Sequence, residues 1–118
     1  MKPSVQHKGW KIRIRDIVHA AQKIILHTQE MTFDQFAGDE WVVDAVLRNL
    51  TVIGEAARHV PDKICAQYPE VQWQDIRDMR NIVVHEYFGV DLSIVWSTIK
   101  EDLPTLIAKL KPLLKSEP

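Results

Sequence analysis

A chain of 118 residues that is 46% hydrophobic and 26% charged can bury a core without disulfide or metal staples. At this size roughly 65% of the unfolded surface is lost on folding. The net charge of −1 excludes a globally basic nucleic-acid binder and leaves any RNA contact to a local patch. The single cysteine, Cys65, excludes an internal disulfide and a CxxC pair, which suits a reducing cytoplasm. The N-terminal residues lack the apolar run of a secretory signal, and no segment approaches the ~20 apolar residues of a membrane span.

Glycine is scarce, and the six prolines fall mostly at segment edges, a pattern that favours helices within one domain over residues 1–118. Residues 1–10 read as a loose basic arm. A first helix is expected from about Lys11 to Gln29, with Ile14, Ile17, Val18, Ala21, Ile24 and Ile25 in one apolar stripe. Thr32 and Gln35 have the spacing of a capping box and predict a single turn ending near Phe36.

Asp39 is a candidate N-cap for the second helix, which Pro61 ends. Val43, Val46, Leu47, Leu50, Ile53, Gly54 and Ala57 form one face about 30 Å long at 1.5 Å per residue. Asp44, Arg48, Thr51, Glu55 and Arg58 leave only a narrow polar stripe, which predicts a central helix that also meets a second subunit. A short helix is expected from Asp62 to Tyr68, and another begins near Trp73. Asp91 or Leu92 opens the last helix, whose stripe runs from Leu92 to Leu113 through Pro104 with a kink or a tight restart. The expected fold is all-α: an up-and-down bundle of four main helices with short helices between them.

The segment from Trp73 to Tyr87 breaks the pattern. At about 100° per residue, Trp73, Ile76, Met79, Val83 and Val84 share a sector, and Arg80 and Tyr87 fall inside it. Arg77, Asp78 and Asn81 fall on or beside the polar side. An arginine among apolar positions requires a partner or a wet cleft. Arg80 can pair with Glu55, extend past the core to solvent, or sit at a dimer seam. His85 lies about 140° round a continuous helix from Arg80. The two therefore share a site only if the helix deforms near the β-branched run Ile82-Val83-Val84, or if a second copy completes it. A histidine moves protons near neutral pH, and a fixed guanidinium stabilises a phosphate gaining charge. Together they suit metal-free RNA cleavage by the neighbouring 2′-hydroxyl, with a tyrosine hydroxyl able to assist or to accept a nucleotidyl group.

Arg80-Asn-Ile-Val-Val-His85-Glu-Tyr87 resembles the R-x4-H-x-Y signature of HepT-like proteins of the HEPN superfamily. Ile53-Gly-Glu-Ala56, Trp73 ahead of Asp75-Ile76, Met79-Arg80-Asn81 and Asp102-Leu103-Pro104 are similar to the same family, so the likeness spans about residues 11 to 113. The resemblance implies a cytoplasmic homodimer in which two motifs share a cleft. It further implies a metal-independent endoribonuclease toxin, acting on RNA such as tRNA, in a type VII-like toxin–antitoxin pair. Its partner would be a minimal nucleotidyltransferase (MNT) antitoxin that transfers AMP to the motif tyrosine. Arg80 and His85 become the catalytic pair, Asn81 a supporting residue and Tyr87 the AMP acceptor, with no cofactor. The alternative is a noncatalytic HEPN subunit that serves as binding partner or substrate of a nucleotidyltransferase.

The remaining candidates weigh less. His7, His19, His27 and His59 lack metal-ligand spacing, and Cys65 has no evident base. Trp41, Trp73 and Trp96 fit core or interface positions. Glu55, beside a glycine that permits close helix approach, suits a structural pair with Arg80 or Arg58. Lys2, Lys8, Lys11, Arg13 and Arg15 form a basic cluster suited to a solvated end or to RNA phosphates.

Overall fold

The computed structural model describes the backbone of residues 3–86 and 91–115, and side chains from 9 to 82 and from 91 to 115. All regular structure among these residues is helical. The elements are α1 (Pro3–Thr28), α2 (Phe33–Ala37), α3 (Glu40–Arg58), α4 (Asp62–Gln67), α5 (Trp73–Arg77), α6 (Met79–Glu86), α7 (Leu92–Ser97), a π-helical turn (Thr98–Asp102) and α8 (Leu103–Lys115). None of these helices is long and apolar enough to cross a membrane.

α1 begins at Pro3, well before the Lys11 expected from the stripe, and so takes up most of the segment read as a loose arm. Proline is tolerated in a first turn because its missing N–H has no helical partner there. The helix is anchored by Trp10, which is buried and lies 6.1 Å from the Tyr68 ring. Further along, Ile14, Ile17, Ala21 and Ile24 are buried as the stripe predicts.

The local signals of the next two elements are met. Gln35 N–H donates to Thr32 Oγ1, and Thr32 N–H donates to Gln35 Oε1, so both halves of the capping box form before α2. Asp39 Oδ1 accepts from the Val42 amide at 3.1 Å and opens α3. Phe36 is fully buried, its ring 5.1 Å from that of Trp96, which in turn lies under the Lys100 ammonium.

α3 is the organising helix. It packs along α1 on one side and along α5 and α6 on another, while α8 packs on α1. Val43, Val46, Leu50, Ile53, Gly54, Ala56 and Ala57 are its buried positions. Trp41, expected in the core or at an interface, is 87% exposed, which removes it from the core. It lies in the first turn of α3, where the buried face begins only at Val43.

One expectation of helix disruption is corrected. Residues 73–86 do break, but at Asp78 and not near Val84: α5 ends at Arg77, α6 starts at Met79, and α6 continues unbroken to Glu86. At the break the Asn81 amide donates to Asp78 O at 2.8 Å, a tight i→i−3 turn, while Gln74 holds the Asp78 carboxylate at 2.9 Å. A kink or a tight restart was expected at Pro104, and a π-helical turn interrupts the α-helix just ahead of it, with α8 beginning at Leu103. A proline ring would strike the carbonyl four residues back in a regular α-helix. The π-turn just ahead absorbs that conflict, with the Leu103 amide reaching Thr98 O. The stripe survives, since Ile99, Leu103, Leu106, Leu110 and Leu113 all remain buried.

Candidate active site

Arg80, the first residue of the motif, lies where α3 crosses α6. Gly54 makes that crossing close: a Cβ built on it would sit 2.8 Å from Arg80 N, 2.9 Å from Arg80 Cβ and 3.0 Å from Arg77 O. These contacts involve backbone atoms and a Cβ, which cannot rotate away. Any larger residue at position 54 must push the helices apart. One residue along α3, Glu55 Oε2 meets Arg80 Nε at 2.9 Å. The two side chains are 43% and 44% exposed, so the pair stands at the mouth of the crossing and is not sealed in the core.

Of the three arrangements open for Arg80, the structure shows the Glu55 pair. Of the apolar sector expected around Arg80, Trp73, Ile76 and Met79 are buried on both sides of the turn at Asp78, while the side chains of Val83, Val84 and Tyr87 lie outside the described residues. Arg80 itself remains half-exposed. Asn81 is exposed beside it, with its amide tied to Asp78 O. Position 85 belongs to α6, but the His85 side chain lies outside the described residues. Tyr87 lies outside them altogether. Because α6 is continuous from Met79 to Glu86, helical register keeps positions 80 and 85 about 140° apart round its axis.

Arg77 has partners that the sequence did not announce. Expected on or beside the polar side, its side chain is 23% exposed. Its Nε donates to Ala57 O at 3.4 Å, one Nη donates to Cys65 Sγ at 3.3 Å, and Asp62 lies 3.7 Å away. It therefore joins the end of α3 to α4 and α5. Burial raises the Cys65 thiol above its ordinary value, outweighing the pull of Arg77 in the other direction. Such a thiol is a poor nucleophile at neutral pH.

On its other flank the α5–α6 segment faces the π-turn and α8 across a cleft of about 370 Å³. Ile76, Met79, Ile82 and Leu106 give it an apolar lining, and Asp75 and Asp102 add carboxylates. Burial, with Glu101 and then Asp75 nearby, raises the Asp102 carboxyl above its ordinary value. Arg80 does not line this cleft. Among the described residues no three His, Cys, Asp or Glu side chains gather as a metal site.

The described residues form a small all-helical domain, with Arg80 held at a glycine-mediated crossing ahead of Asn81, His85 and Tyr87 in the sequence. Residues 17–113 match the family described as ribonuclease HepT-like, and the chain belongs to that family. It is 38% identical to a probable ribonuclease HepT of Thermococcus cleftensis over 92% of this chain and 96% of the relative. A putative RNase of Methanocaldococcus jannaschii is 33% identical over 81% of this chain and 88% of its own length. A putative RNase of Caldanaerobacter subterraneus is 32% identical over 88% and 93% of the two chains. No solved structure gives a significant match.

Proposed function

We propose that this protein is a metal-independent endoribonuclease, the toxin of a toxin–antitoxin pair, acting on RNA in the cytoplasm with tRNA as the first substrate to test. The observation that carries the reading is Arg80: in a chain of the HepT-like family, it is a half-exposed arginine held in place at a helix crossing. A fixed guanidinium facing solvent is suited to a phosphate that gains negative charge during reaction.

In the proposed reaction the 2′-hydroxyl loses its proton to a base and attacks the adjacent phosphorus. The P–O5′ bond breaks, and the leaving oxygen takes up a proton. The products are a 2′,3′-cyclic phosphate and a 5′-hydroxyl end, and no metal is required in any step. Arg80 neutralises the phosphoryl oxygens, His85 moves the proton, and Asn81 supports the substrate. An up-and-down bundle of four main helices that pairs as a homodimer is part of the same proposal. The 140° register between positions 80 and 85 favours a composite site in which each copy supplies one member of the pair. Tyr87 is the AMP acceptor for an MNT-type nucleotidyltransferase antitoxin, since a bulky anion beside the site would repel RNA phosphate.

Incubating the purified chain with tRNA and other RNAs in EDTA tests the reading, with mass spectrometry verifying that Tyr87 is unmodified. Cleavage that is lost in Arg80→Ala and His85→Ala is expected. An unmodified wild-type chain that cleaves no RNA, yet is adenylylated by a nucleotidyltransferase, would instead mark the noncatalytic partner subunit. The intact Arg80 and His85 favour the nuclease over that second reading.

A further inference from the structure

Arg80 and Arg77 stand three residues apart and are used differently. Arg77 is spent on the fold, since Ala57 O, Cys65 Sγ and Asp62 surround a side chain that is mostly covered. Arg80 has its contact with Glu55 through Nε, on the inner edge of the guanidinium, and remains 43% exposed. A guanidinium is a planar fork with five N–H donors. A contact made at Nε leaves the two terminal nitrogens outside it, a pair able to take two phosphate oxygens at once.

Stability alone is a weak reason for such a pair, because half-exposed ion pairs contribute only about 0–1 kcal/mol. Its spacing is nevertheless tightly set. Gly54, the residue before Glu55, lies in direct contact with the Arg80 backbone, so the two chains of atoms that end in Oε2 and Nε start from a fixed separation. Neither helix can drift without opening the crossing.

We infer that Glu55, seated by the Gly54 contact, is a positioning residue for Arg80, holding the guanidinium by its inner edge so that the outer edge faces an RNA phosphate. The inference rests on the ribonuclease reading above and adds a residue to its site. Its opposite is also physically sensible: a carboxylate on Arg80 could act as an anion that RNA must displace. The two roles predict opposite signs on removal.

The test is steady-state RNA cleavage by wild type, Glu55→Ala and Glu55→Gln, each checked for cooperative melting. In Glu55→Ala, kcat should fall about 10- to 100-fold, the cost of a misplaced catalytic group. KM should stay level or fall, because a carboxylate that repels the RNA backbone has gone. Glu55→Gln keeps an acceptor for the Nε–H and should lie between the two, a graded rescue that a merely structural residue would not give. A folded Glu55→Ala that cleaves as fast as wild type, or faster, overturns the positioning role and leaves the ribonuclease reading standing. An unmodified wild type that cleaves nothing overturns both.

Discussion

Gly54 and Arg80 are in backbone contact across two helices, with room between them for a hydrogen but not for a methyl group. Gly54→Ala therefore sets two effects against each other. Alanine is about 1 kcal/mol better than glycine inside a helix. Its Cβ, however, would lie 2.8 Å from the Arg80 amide nitrogen, and forcing a close-packed contact apart costs about 1–3 kcal/mol. The clash should win, and thermal or denaturant melting should show net destabilisation. A Gly54→Ala variant that melts higher than wild type would mean that the crossing is looser than described.

The two arginines of α5 and α6 should separate stability from activity. Arg77→Ala strips a partner from Ala57 O and from Cys65 Sγ and empties a mostly covered site, so a loss of about 1–3 kcal/mol is expected. Arg80→Ala removes a half-exposed pair worth about 0–1 kcal/mol and should melt close to wild type. In the RNA cleavage assay the order reverses: Arg80→Ala loses about 100-fold or more, while Arg77→Ala falls only with its folded fraction. Equal effects of the two variants on both measurements would argue against the division drawn here.

The capping box before α2 is a local device whose removal can be read directly. Thr32→Ala deletes the acceptor of the Gln35 amide in an exposed position and leaves the Phe36–Trp96 contact untouched. A loss of about 1 kcal/mol is expected in denaturant unfolding. A loss several times larger would show that Thr32 carries a tertiary role beyond the cap.

What could be read from the sequence was mostly what is encoded within a few residues. Thr32, Gln35 and Asp39 announce their helix starts, and the stripes from Ile14 to Ile24 and from Ile99 to Leu113 predict the buried faces. Arg80 was singled out because it falls among Trp73, Ile76 and Met79, which are buried, and an arginine there needs a partner. Glu55 was a candidate partner because it follows Gly54, and the 2.9 Å contact bears that pairing out. Arg77 was illegible because its partners at Ala57, Asp62 and Cys65 come from other elements, and no local spacing announces them. For Trp41 the sequence left core and interface open, and its exposure removes only the core.

The acid side of the stability profile should carry opposite signatures from two aspartates. Burial, followed by Glu101 and Asp75, raises the Asp102 carboxyl above its ordinary value of 3.8. The folded chain then holds that proton to a higher pH than the unfolded chain, so folding stability declines as pH rises from 3.8 through the raised value. Asp102→Asn removes the penalty and should raise the melting temperature at pH 7, by little because water screens an exposed carboxyl at the mouth of the cleft. The gain should vanish below the unfolded value, where the aspartate is protonated in both states. Asp91 behaves the other way. Its carboxylate accepts the Ser93 amide at 2.8 Å, which lowers its pKa. Its stabilisation is therefore present above the unfolded value and lost as pH falls through the lowered folded one. Asp91→Ala should melt lower at pH 7 and converge with wild type in acid. Melting curves of both variants from acid to neutral pH check the pair, and a gain in Asp102→Asn that persists in acid would point to repacking of the cleft instead of charge.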